Sequence, residues 1–488
     1  MKIQEKVKNM IRSWLNIQPA NDNSITILEP MSFQANVIKN QIWYRGDASE
    51  LHQLYSQLDD GYVGRSRFWA AAPANQSIRK IHSGLPSLIV DTLAYVVKSD
   101  LGDVEFKSGT GKSEWNGISK EIDFLSLIGG AVVDTLVSAD GAFKISVDTD
   151  ISEYPMVEFY PANRVEYICK RGYVTGIYFF TEYRVRDKVY QLRETYSKGS
   201  VSYALFDGDN EAPINTVPEL ADLKSVTFSG DYMMAVPLQV FKSPKFIGRG
   251  KSLFDTKTDD FDAHDEVVSQ WMDALRAGRV QKYIPEDMIP RDPKTGALCS
   301  VNSFGTEFVQ VNKPPKEGTD SKLEVIQPEI KYEAFLNTYT ATLDMCLQGI
   351  ISPATLGIDV GKMSSADAQR EKKDVTGNTR NTITGALEKV IPKLVSAILM
   401  TYDNMRGIEP GAYAPSIAFG EYGAPSFDSR IESVGKAATT GIMSTESQVD
   451  ELWGNSKDDE WKKKEVERIN QAKGLAEMSP PGVGDDTI

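Results

Sequence analysis

The sequence predicts an α+β fold, and three observations carry that prediction. Short runs with period-two alternation, rich in β-branched and aromatic residues, crowd between residues 143 and 206. Two stretches, 259–278 and 331–349, repeat their apolar residues at three-to-four spacing, the mark of amphipathic helices, and a turn-rich insert lies between them. A third helical stretch, 364–406, is longer than either. Of the 488 residues 41% are hydrophobic and 9% aromatic, a composition that argues for folded protein. Domains run to about 100–200 residues, so the chain has room for more than one core.

Residues 1–15 mix charge through their apolar positions; they read as a short amphipathic helix and lack the continuous apolar core of a secretory signal. Residues 16–48 read as an extended arm, with Pro19, a polar run at 21–24 and Pro30. A helix is predicted over 49–58, a longer buried helix over 78–97 with a bend near Pro86, and a third over about 115–137. The runs 143–148, 157–160, 164–170, 174–185, 188–196 and 200–206, parted by turns at 171–172, 187–188 and 198–199, predict an antiparallel meander. Residues 1–254 thus read as one α+β domain, and the glycine-flanked segment 248–252 as a hinge out of it.

In the first amphipathic stretch His264, Val267, Val268, Trp271, Met272 and Leu275 share a face. In the second, Tyr332, Phe335, Leu336, Tyr339, Leu343, Cys346 and Leu347 do the same. Acids at the start of the first (Asp255, Asp259, Asp260, Asp262, Asp265, Glu266) and Arg276 and Arg279 at its end match the helix dipole. Within the insert, 304–311 and 323–326 are β candidates. The apolar loop 350–363 is longer than the roughly 2–8 residues usual between bundled helices. Ser364 and Asp367 give an N-cap signal for the long helix, whose second half lines Ile383, Leu387, Val390, Ile391, Leu394, Val395, Ile398, Leu399 and Tyr402 on one face. Pro392 removes a donor there and is expected to bend it. A Gly/Pro/Ala linker (407–425), short helices (426–477) and a disordered tail (478–488) complete the chain.

Lys and Arg number 54 against 68 Asp and Glu, a net charge of −14, which argues against a whole-surface grip on nucleic acid. Three cysteines, far apart, suggest neither a disulfide framework nor a zinc knuckle, and no apolar run reaches the roughly 18–20 residues of a membrane span. The segment Gly109-Thr-Gly-Lys-Ser113 evokes a phosphate loop, but Phe106 stands where the pattern needs its first glycine, so a solvated turn is expected. Arg45-Gly-Asp47 reads as chance in a chain without a secretion signal. The acidic cluster is expected to spread around its helix as a solvated start, and the three histidines form no triad or zinc set. No catalytic residue, cofactor or metal site is expected.

The order of parts, helix, small β insert, helix, apolar loop and very long helix, resembles the portal proteins of tailed bacteriophages, of the kind found in long-tailed phages of Gram-positive hosts. The resemblance rests on Gly278-Arg-Val-Gln-Lys-Tyr-Ile-Pro285, on Ile351-Ser-Pro-Ala-Thr-Leu-Gly-Ile358 with Ser364-Ser-Ala-Asp-Ala-Gln-Arg-Glu-Lys372, and on Thr440-Gly-Ile-Met-Ser-Thr-Glu446, and extends over most of the chain. It implies a wing at 1–254, stem helices at 255–278 and 331–349, a clip at 279–330, a tunnel loop at 350–363, the long kinked helix at 364–406, a linker returning through the wing at 407–425 and a crown at 426–477. It further implies a homo-oligomer of about twelve copies around double-stranded DNA. The implied partners are the terminase large subunit, major capsid and scaffold proteins and a head–tail connector, with no membrane, and the implied location is the virion, after assembly in the host cytoplasm. Channel contacts would fall to Ser352, Pro353, Ala354, Thr355, Leu356, Gly357, Ile358 and Lys362 in the tunnel loop, and to Arg276, Arg279, Lys282 and Lys331 in stem and clip. An enzyme of unknown substrate and a packaging ATPase are the alternatives; the second lacks its Walker loop.

Overall fold

The expected extended arm stops at Ser32. Residues Ile17–Pro19 (β1) and Thr26–Leu28 (β2) pair antiparallel. The Ser32 hydroxyl then accepts from Ala35 N and caps a helix, Phe33–Arg45 (α1), which Gly46 ends in the left-handed region at φ 71°. Helix Ala48–Gln57 (α2) follows as predicted. The computed structural model describes residues 17–19, 26–28, 31–57, 67–70, 78–107, 110–278, 281–285, 293–295, 308–311, 324–326, 330–358, 366–420, 427–454 and 459–472. The expectations for residues 1–15, Arg279, Lys362, Ser364 and the tail 478–488 lie outside the described residues.

Pro86 opens a helix instead of bending one. Residues 78–84 run as an irregular strap, and Leu85–Ser99 (α3) begins after Gly84. Proline is tolerated in a first turn because the N–H it lacks would find no intrahelical partner. After the short strand Glu105–Phe106 (β3), the expected third helix is two, Lys112–Glu121 (α4) and Phe124–Ser138 (α5), broken at Asp123 with φ 43°.

The β region is likewise two sheets where one meander was expected. Asp140–Ser146 (β4) and Met156–Pro161 (β5) join the later strand Ala235–Gln239 (β12) in the order β12-β4-β5. The meander proper holds Val165–Lys170 (β6), Tyr173–Val185 (β7), Lys188–Ser197 (β8), Ser200–Asp207 (β9) and Asn210–Ala212 (β10), with Val226–Thr227 (β11) also against β9. The pairing of β4 with β12 spans about ninety residues of chain, and nothing local in the sequence signals it. Helices α3 and α5 share one apolar core with this three-stranded sheet, through Ile89, Leu93, Val132, Leu136 and Phe143.

The segment expected as a hinge is pinned. Asp140, fully buried, accepts two bonds from the Arg249 guanidinium (2.7 and 3.0 Å) and one from Gly250 N. Arg249 also donates to the carbonyls of Val165 and Ala162 and stacks over Phe33 at 4.0 Å. A Cβ at Gly250 would lie 2.0 Å from the Ala139 carbonyl oxygen.

Beyond it come Thr258–Ala277 (α6), three short strands, Gln281–Pro285 (β13), Phe308–Val311 (β14) and Glu324–Ile326 (β15), then Tyr332–Leu347 (α7). The strands form a sheet in the order β14-β13-β15, with β13 parallel to β14 and antiparallel to β15. Ala366–Met405 (α8) is the long helix, and Ile383, Leu387, Ile391, Leu394 and Ile398 bury its predicted face in the core. Pro392 lies within it and lines a cleft beside β12. Pro415–Ser416 (β16) pairs with β3.

The chain divides into two compact units, residues 1–420 and 421–488. The second holds Phe427–Thr439 (α9), Thr445–Trp453 (α10) and Asp459–Ala472 (α11); Val449 is buried, and Trp453 meets Trp461 edge-on at 5.3 Å.

Candidate functional site: the helical hairpin and its base

Helices α6 and α7 pack as a hairpin along a seam of rings. Trp271 stacks on Phe335 (centroids 6.1 Å, planes 8° apart) and meets Tyr339 edge-on, and His264 tilts against Tyr339 at 5.0 Å. At the base Lys257 donates to Met345 O and to Asp260. The two helices meet again at the tip, where a Cβ on Gly278 would lie 2.5 Å from Ile330 Cδ1.

Burial of the large apolar side chains is confined to the base half. Phe261, His264, Leu343, Cys346 and Leu347 are buried, whereas Met272 is 43% exposed, Leu275 46%, Tyr332 60% and Leu336 46%. The face predicted to be core is therefore core only near the base, and its outer half leaves large apolar side chains in water.

At the acidic start of α6 Asp259 is exposed as expected, but Asp262 and Asp265 are not solvated. Asp262, Asp265 and Ser269 fall at i, i+3 and i+7 on one stripe, and all three are buried. Asp262 accepts from the backbone N–H groups of Phe68 (2.9 Å) and Trp69 (3.1 Å). Asp265 takes Ser83 N at 2.9 Å, Trp69 Nε1 at 3.1 Å and His82 Nδ1 at 2.7 Å. A carboxylate offers lone pairs alone, so His82 Nδ1 carries the proton of that contact. Ser269 accepts from Ile81 N, and Lys80 donates to the carbonyls of Phe68 and Trp69. Helix α6 thus replaces the backbone partners that the strap 78–84 and the turn 67–70, which lack regular structure, cannot supply for themselves. Burial raises the Asp262 pKa, while the two N–H groups and Arg67 pull it back. Desolvation lowers the pKa of His264, whose Nδ1 lies 3.0 Å from the Thr342 hydroxyl. Sequence reasoning missed this anchoring role: the i, i+3, i+7 spacing marks a shared polar stripe but does not say which segment it meets.

Among the described residues no group of three or more His, Cys, Asp or Glu could hold a metal ion. No described helix is long and apolar enough to cross a membrane.

The residues expected to ring a channel divide by burial. Pro353–Leu356 is a single 3-10 turn packed against α3 and α8. Ser352 is 2% exposed, Pro353 is buried, and Thr376 of α8 holds the turn through Ser352 N (2.8 Å) and the Thr355 hydroxyl (3.1 Å). Ser352 and Pro353 are therefore buried in the isolated chain. Thr355, Leu356 and Ile358 are half-buried, and Ala354 and Gly357 are exposed. Arg276 is half-buried near the end of α6 and Lys331 exposed at the start of α7; Lys282 sits mid-strand in β13.

No family model matches the chain, and no curated protein matches it. Among solved structures it is similar to the neck of a native GTA particle computed with C12 symmetry: 11% identity over 76% of this chain and 91% of that one, at a TM-score of 0.39. It is also similar to the neck of an empty GTA particle computed with C6 symmetry, with 11% identity, 74% and 88% coverage and a TM-score of 0.41. Neither score defines a shared fold.

Proposed function

We propose that this chain is the repeating subunit of a portal: a homo-oligomeric ring at one vertex of a tailed-phage-like particle, through which double-stranded DNA is packaged and ejected. The observation that carries the reading is the hairpin. Its outer half leaves Met272, Leu275, Tyr332 and Leu336 about half exposed, and covering the exposed half of such a side chain is worth about 1 kcal/mol. Closing hairpins into a ring supplies those contacts, and the small sheet between α6 and α7 then projects at one end of the ring.

In this reading α6 and α7 are the stem, residues 279–330 the clip that docks the terminase large subunit and later the head–tail connector, and residues 1–254 the wing that meets capsid and scaffold. Residues 350–363 form the tunnel loop, with Ala354 and Gly357 as its exposed small residues. The role is non-enzymatic. A net charge of −14 per copy suits a conduit, because a lining that neutralised many phosphates would hold the duplex instead of letting it slide.

The test is the mass and symmetry of the purified chain, by native mass spectrometry with negative-stain class averages. A closed ring of about twelve copies is expected, and the pair Leu275→Asp and Leu336→Asp is expected to abolish it while leaving circular dichroism unchanged. A monomer or dimer that stays so with scaffold protein and crowding agent added would overturn the reading.

A further inference from the structure

Away from the hairpin seam, the segment leading into α6, the end of α7 and the middle of α8 enclose a cleft of about 330 Å³. Its polar lining includes Lys251, Thr256, Lys257, Gln348, Asn378 and Thr379, and among the described residues it includes no carboxylate. In a chain with a surplus of acids such a lining is unexpected by composition. Lys257 is already engaged by Asp260 and Met345 O. Lys251 has no acidic partner among the described residues, so one positive charge in the cleft stays uncompensated. Asp255, four residues on, is taken by Ser252 N, Asn36 and Asn40.

The backbone holds Lys251 in place. Lys251 N donates to Phe241 O at 2.9 Å, the buried Ser252 hydroxyl donates to Leu136 O, and Leu253 N donates to the same carbonyl. A lysine on so fixed a backbone stands beside the amides of Gln348 and Asn378 and the hydroxyls of Thr256 and Thr379. None of these four side chains is spent on another described residue. Phe241, Leu253 and Ile350 complete the wall with apolar surface, which strengthens a charge-assisted bond made there.

We infer that this cleft is an oxyanion site: it takes a phosphate or carboxylate group, paired with Lys251 and hydrogen-bonded by the amides and hydroxyls around it. The occupant comes either from solution as free phosphate or from an acidic side chain of a second copy of this chain. In both cases it bridges the end of α7 to α8, next to the turn at 353–356. The site does not depend on the portal reading, since the isolated subunit contains all of it.

Phosphorus-31 line broadening of inorganic phosphate, titrated with the full chain, tests the inference on whatever oligomer is present. Saturable binding is expected; Lys251→Ala weakens it by about tenfold or more, and Lys251→Arg retains it. No saturable binding to the wild type, or equal binding by Lys251→Ala with an unchanged melting curve, overturns it. Sedimentation in rising phosphate separates the two sources. Phosphate that dissociates the wild-type assembly, but leaves that of Lys251→Ala as it was, identifies a neighbour's carboxylate as the occupant; an unchanged distribution with binding intact identifies free phosphate.

Discussion

Replacing Asp265 with alanine tests the anchor of the hairpin most directly. The substitution strands three donors, Ser83 N, Trp69 Nε1 and His82 Nδ1, around a residue with no solvent exposure. Each hydrogen bond to a charged acceptor contributes about 1.5–3 kcal/mol, but the three share one acceptor group and the charge itself is costly to bury, so they do not simply add. Breaking one buried, hydrogen-bonded charge cluster costs roughly 3–5 kcal/mol. At about 1.4 kcal/mol per factor of ten, the low end raises the local opening equilibrium of the strap by about a hundredfold. Hydrogen–deuterium exchange by mass spectrometry, on peptides spanning 67–70 and 78–84, reads that quantity. Asp265→Asn keeps an acceptor for Ser83 N and is expected to fall between the wild type and alanine. A change below about tenfold at Ser83 in Asp265→Ala would refute the reasoning, because the strap would then be held by something other than this carboxylate.

Two further outcomes follow from buried titratable groups in the same region. Desolvation lowers the pKa of His264 below its ordinary 6.5, so the unfolded chain binds a proton more readily than the folded one. Its contribution to stability is therefore full above pH 6.5 and is lost as pH falls through that value toward the folded pKa. Thermal melting of the wild type should drop more steeply from pH 7.5 to 5.5 than that of His264→Gln, by differential scanning calorimetry; parallel curves would count against it. Burial pushes the Cys346 thiol up to about 12, whereas Cys169 is exposed. An aromatic disulfide reagent at pH 8 should therefore label Cys169 within minutes and reach Cys346 only on denaturation, as peptide mapping would show.

What the sequence made legible was periodicity. The α6 and α7 boundaries, the strands of the meander and the length of α8 all follow from patterns that repeat every two or every three to four residues. What it hid was partner choice at long range. The pairing of β4 with β12 and the reach of Asp262 and Asp265 to residues 67–83 join segments about 95 to 195 residues apart, and no local pattern encodes such a meeting. Proline and glycine misled in a third way. The sequence suggests a bend at Pro86 and a hinge at 248–252, yet Pro86 lies in a first helical turn and Gly250 is where a backbone must pass against another. In the stretch 350–358 the apolar composition is visible in the sequence, but not that Ser352 and Pro353 pack into the core.

The close approach of Gly278 to Ile330 has a consequence for how this chain can diversify. Everything between them departs from and returns to a single point on a hairpin that is already zipped by Trp271, Phe335 and Tyr339. The two ends of that region therefore sit on one handle. Because its two ends are held this close, a change of length or sequence there that keeps the end-to-end span leaves the packing of α6 against α7 geometrically undisturbed.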